Sequence, residues 1–174
     1  MHHKQYVFAS ESQFESLEDA INNVPEIICD EAYDQGCDSV TSGWAIDLKT
    51  GLMQWVNGFG PWEELSNIDQ VIKYFDDWVN KETKQNIDKA KKGIAKSLEQ
   101  RNKWDITYYA SMLSQAWEAE DLGKKPITLD RLINDNDFEL NATQWSEPGW
   151  TKLRNEEGDI PGPTRYIVMV DFHT

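Results

Sequence analysis

The side chains able to catalyse, ligate or bind are many carboxylates, two thiols and three imidazoles. His2, His3 and His173 all lie at the ends of the 174-residue chain. No interior imidazole is available for a Ser-His-Asp or Cys-His arrangement or for a buried zinc site, so hydrolase and zinc readings fall sharply. The phosphate-cradling patterns Gly-x-x-x-x-Gly-Lys-Ser/Thr and Gly-x-Gly-x-x-Gly do not occur. The run Asn134-Asp135-Asn136-Asp137 lacks the sixth-position Gly and twelfth-position Glu of a calcium loop. Glu63-Glu64, Asp76-Asp77 and Glu156-Glu157 are paired carboxylates, but adjacent residues on a helix or strand point apart and form no acid/base pair by themselves. The expectation is no catalytic constellation, no metal and no cofactor.

Carboxylates in a repeating pattern remain. Glu11, Glu15 and Asp19 recur every four residues with Glu18 beside them, opposite Phe14, Leu17 and Ile21. Glu26, Asp30 and Asp34 repeat that spacing, with Glu31 beside them and Asp38 just beyond, opposite Ile28, Cys29, Ala32 and Tyr33. Like charges at i,i+4 each cost a helix about 0.2–0.5 kcal/mol, and no Lys or Arg stands between Lys4 and Lys49 to relieve them. Four residues of helix rise about 6 Å, a spacing comparable with phosphates along one nucleic-acid strand. Such a row imitates a phosphate backbone toward a basic protein surface. The plainer alternative is that these acids complement a helix dipole and keep the chain in solution. Trp62 followed by Glu63 and Glu64 resembles an interface anchor, an aromatic ringed by charge.

The charge balance supports the same direction. Segment 1–80 holds 3 basic and 15 acidic residues, 81–104 holds 8 and 3, and 105–174 holds 6 and 13, for a formal net charge of −14. A broad basic surface for nucleic acid or anionic lipid is excluded. Lys81, Lys89, Lys92, Lys96 and Lys103 fall in one arc opposite Ile87, Ile94 and Leu98. That arc is expected to offset acids within this fold or in a second copy, making the 81–103 helix a route to homo-oligomers. Hydrophobic content of 39% with eight Trp argues against a disordered tail, and no 18-residue apolar run spans a membrane. The N-terminal stretch lacks the apolar core of a secretory signal, so a cytoplasmic chain with reduced Cys29 and Cys37 is expected, and Asn141-Ala142-Thr143 is a chance match to a glycosylation pattern.

These groups need elements to position them. Gln5 to Ala9 predicts a strand with Tyr6 and Phe8 on one side. Ser10-x-x-Gln13 predicts a capping box opening a helix, and Pro25 predicts its end and the start of a second helix to Gln35. Trp44, Ile46 and Leu48 alternate before Lys49-Thr50-Gly51, and Leu52 to Val56 is again β-rich, predicting a hairpin. Ile68 to Val79 predicts a helix capped by Ser66 or Asn67, with a second amphipathic helix through Ile87, Ile94 and Leu98. Ile106, Tyr109, Ala110, Leu113 and Trp117 predict a third, capped by Asp105 and ended at Gly123, before a short turn at Thr128 to Ile133. Residues 134–162 predict a long irregular loop, and Arg165 to Phe172 a strand inside a sheet.

The expected architecture over residues 1–174 is one α+β domain: a small antiparallel sheet of the N-terminal strand, the central hairpin and the C-terminal strand, packed with four or five helices. The expected function is a non-enzymatic interaction or inhibitor module of phage or mobile-element type. It would block a basic, nucleic-acid-binding protein or nuclease by charge mimicry, without touching nucleic acid or membrane itself. Two alternatives stand beside it: a small-molecule binder or carboxylate-dependent enzyme with a pocket lined by Trp55, Trp62, Trp145 or Trp150, and an immunity or antitoxin protein neutralising a basic toxin.

Overall fold

The computed structural model describes residues 2–34, 36–56, 65–141 and 149–173, with the side chains of residues 2 and 31–34 outside the description. Within them the chain runs β1 (His2–Ser10), α1 (Leu17–Asp34), β2 (Ser39–Asp47), β3 (Met53–Trp55) and α2 (Ile68–Asp77). It continues through α3 (Thr83–Gln100), α4 (Lys103–Leu122), α5 (Leu129–Asn134), β4 (Gly149–Lys152) and β5 (Thr164–His173). The five strands form one sheet in the order β3-β2-β5-β1-β4, and the fold is α+β.

The sheet is two-faced because its strands alternate. Tyr6 and Phe8 of β1, Trp44 and Ile46 of β2, and Ile167 and Met169 of β5 pack on one face with α2 and α5. Val7, Ala45, Val168 and Val170 point to the other, where Leu17, Ala20, Ile21 and Val24 of α1 cover them. β5 is central and buried on both faces, as its near-continuous apolar run requires. Phe75 of α2 centres the larger core, with ring centroids 5.4 Å from Tyr6 and 4.8 Å from Trp150.

Pro25 does not end the first helix; α1 runs through it as one piece. A proline has no N–H to give the carbonyl four residues back, here that of Ile21. The Ser42 hydroxyl of β2 donates to Ile21 O at 2.6 Å instead. The helix also opens later than the sequence predicts. Ser10 N donates to Gln13 Oε1 at 2.8 Å, closing a turn after β1, whereas Ser16 Oγ accepts from Asp19 N at 3.1 Å and caps α1.

The sheet is mixed rather than wholly antiparallel. Within the segment expected to be irregular, β4 pairs parallel to β1, with Gln5 opposite Gly149 and Phe8 opposite Lys152. The hairpin falls where predicted, with Trp44 opposite Trp55. Asn67 caps α2 by accepting from Gln70 N at 3.0 Å. The two helices predicted around Val79 are one rod, because a π-turn at Trp78–Glu82 joins α2 to α3. Thr83 Oγ1 donates to Trp78 O at 2.9 Å across that turn. Asn102, not Asp105, caps α4, its Oδ1 accepting from the Trp104 and Asp105 amides. The ring of Tyr109 lies where a Cβ on Gly93 would be, 2.4 Å away, so only glycine lets α3 and α4 meet there.

Candidate functional site

Because α1 is unbroken, the two predicted acidic rows are one surface. Seven residues of α-helix turn through just under two full turns, so Glu26 returns near the heading of Asp19, and Asp30 follows one turn on. Glu15, Glu18, Glu26 and Asp30 are exposed and Asp19 is half-buried, opposite the face that packs on the sheet. Glu15, Glu18, Glu26 and Asp30 make no ion pair among the described residues. Asp19 is fixed by local bonds: its Oδ2 accepts from Glu15 N at 2.9 Å and its Oδ1 from Asn23 Nδ2 at 2.6 Å. These bonds hold the first turn of the acidic face in one geometry.

Not every expected member belongs. Glu11 lies in the turn before α1, where its carboxylate pairs with Arg165 and with Lys49 Nζ at 3.4 Å. Asp38 stands past the helix end, its Oδ1 2.7 Å from His173 Nδ1. The His173 contact holds the Asp38 carboxyl below its usual range. Glu11 is thus neutralised by the protein's own cations, and Asp38 is tied to His173. The side chains of Glu31 and Asp34, and the whole of Trp62, Glu63, Glu64 and Trp145, lie outside the described residues.

A second charged cluster, with no local pattern in the sequence to announce it, lies beside this face. Arg165 grips Asp47 through Nη2–Oδ2 at 3.0 Å and Nε–Oδ1 at 3.2 Å, while reaching Glu11 with its other nitrogen. Burial pushes the Asp47 carboxyl up, but the Arg165 guanidinium and the Lys49 amide outweigh it, leaving the pKa lowered. Open clefts of about 520 and 680 Å³ flank Arg165, one against Ser10–Ser12 and Pro161–Thr164, the other against Glu15–Leu17 and Thr50–Leu52. Neither is lined by tryptophan. Trp150 is buried and stacked on Phe138 at 5.2 Å, and Trp55 packs on Trp44 at 6.3 Å, so both act as core plugs. Trp55 and Trp150 therefore line neither of these clefts.

Lys152 is the least exposed cation among the described residues, with 2% of its surface accessible. Its Nζ donates to Leu132 O at 3.0 Å and Thr164 Oγ1 at 2.8 Å, and lies 5.0 Å from the centre of the Phe8 ring. Burial pulls its pKa down to about 8, against the raising pull of Asp135 and Glu139. Nothing in the sequence marks this lysine as internal, since it lies within a predicted loop.

Among the described residues no cluster of three or more His, Cys, Asp or Glu forms a metal-holding group, and no helix is long and apolar enough to cross a membrane. Compared with protein-family models, with curated proteins and with solved structures, the chain gives no match.

Proposed function

We propose that the chain is an interaction module that binds a basic protein surface through the outward face of α1. The observation that carries this reading is the continuity of that face: Glu18, Glu26 and Asp30 lie on one unbroken helix with Glu15 in the turn just before it, and none of the four makes an ion pair among the described residues. A surface serving solubility alone mixes both signs, whereas an uncompensated single-sign row on a fixed scaffold steers and orients an oppositely charged partner. The partner is a nucleic-acid-binding protein or nuclease whose phosphate-contacting face the carboxylates occupy. Its identity separates an inhibitor of phage or mobile-element type from an immunity protein against a basic toxin, since both use the same surface. The cytoplasm is the expected compartment. The Lys-rich segment 81–103 provides a separate route to self-association.

The test is affinity capture from the native host with immobilised wild-type chain and with a Glu15→Lys, Glu18→Lys, Glu26→Lys, Asp30→Lys variant of unchanged circular dichroism. The wild type should retain a basic protein that duplex DNA displaces, and the variant should not. Equal retention by both chains rules the reading out.

A further inference from the structure

Three of the five large apolar residues that stand exposed among the described residues, Leu98, Trp104 and Trp117, belong to α3 and α4. These helices pack on each other through Ala90, Gly93 and Ser97 of α3 and Tyr109, Met112 and Ala116 of α4. The apolar periods of the sequence lie elsewhere. Ile87, Ile94 and Leu98 recur at i, i+7 and i+11 on α3, and Ile106, Ala110, Leu113 and Trp117 at i, i+4, i+7 and i+11 on α4. The sequence predicts both sets as core-facing, yet none of them joins either core cluster, and Leu98 and Trp117 are 61% and 50% exposed.

Helical phase puts the two sets together. Each is displaced in the same rotational sense from its helix's contact line, and in an antiparallel pair equal rotational sense means the same face. Gln115, which bonds Asn141 O at 3.1 Å, and Ala119, a member of the larger core, leave their helix on the opposite side. The hairpin therefore carries an apolar face directed away from the body of the fold.

We infer that this face is the docking surface for a second copy of the chain, closing an antiparallel four-helix arrangement of two α3–α4 hairpins. Charge selects the occupant. α3 turns Lys84 and Lys91 toward this face and Lys89, Lys92 and Lys96 away from it, while α4 holds four acids against one lysine. A twofold axis parallel to the helices lays α3 of one copy against α4 of the other, so every helix has oppositely charged neighbours. It also sets Lys84, at the base of α3, level with Glu118 of the partner subunit. The alternative axis, across the helices, stacks α3 on α3 and repels. An anionic membrane would meet the same face with the acidic α4 and is disfavoured. This surface is separate from α1 and does not rest on the reading proposed for it.

Sedimentation velocity of the whole chain at about 1–200 µM decides the matter. The wild type should sediment as a concentration-dependent dimer, and a Leu98→Glu, Trp117→Glu variant of unchanged circular dichroism as a monomer. Lys84→Glu and Glu118→Lys should each weaken the dimer about tenfold, and their combination should restore it, which keeps the test independent of any loss of folding in the apolar variant. A wild type that remains monomeric throughout overturns the inference. So does a dimer indifferent to these substitutions, or a monomer that instead cosediments with phosphatidylserine-containing vesicles through Trp117.

Discussion

The hydroxyl of Ser42 donates its hydrogen bond, 2.6 Å long, to the carbonyl oxygen of Ile21, the acceptor that Pro25 leaves without an amide. A strand side chain thereby repairs a helix and keeps the acidic residues on either side of the proline on one face. Ser42→Ala should cost about 1–3 kcal/mol in urea unfolding, since it strands a buried carbonyl. In a Pro25→Ala background the helix supplies its own N–H, and the same substitution should cost less than about 1 kcal/mol. Equal costs in both backgrounds would show that Ser42 acts independently of the proline.

Lys152 makes stability depend on pH in a definite direction. Its folded pKa of about 8 lies below the ordinary 10.5, so between those values the unfolded chain binds more protons and folding is favoured as pH rises. Relative to Lys152→Met, the wild type should gain about 2 kcal/mol between pH 7 and pH 10 in paired urea titrations. A constant difference would place the ammonium in contact with water.

Gly93 should not tolerate a side chain. A Cβ there meets the Tyr109 ring at 2.4 Å, so Gly93→Ala should lower stability by about 1–3 kcal/mol despite alanine's better helix propensity. Thermal melts of Gly93→Ala and of Gly93→Ala with Tyr109→Ala check this, the second recovering part of the loss.

Glu11 and the helix carboxylates should separate by their effects. Glu11→Gln weakens the Arg165 and Lys49 contacts and should lower stability by less than about 1 kcal/mol, as expected of exposed pairs, while leaving partner capture intact. Glu18→Lys should do the reverse, with melting unchanged and capture weakened. Urea unfolding and capture measured on the same preparations distinguish the two residues.

What the sequence made legible follows from the range of the interactions involved. Strand alternation around Tyr6, Trp44 and Ile167, the hairpin at Gly51 and the Asn67 cap are local, and each lies where the residue types place it. The α+β class followed from them. Pro25 misled because the group that satisfies Ile21 comes from another element. β4 escaped notice because its four residues include a lysine whose charge is buried by distant partners. The spacing of Ile106, Leu113 and Trp117 gave a real apolar face, but periodicity does not say what lies against it. At the acidic surface, spacing extended the first helix back over Glu11 and Glu15, which precede Leu17, and the capture of Glu11 by Arg165 across most of the chain left no local signal.

The central claim is that the carboxylates of α1 act as a charged surface toward a partner. Its most direct test is the salt dependence of binding between the captured protein and the chain, by titration calorimetry from about 50 to 300 mM salt, for wild type and the four-residue Lys variant. The account predicts a wild-type affinity that falls at least about tenfold over that range and a variant whose residual binding is nearly flat. Parallel salt curves for the two chains would contradict it.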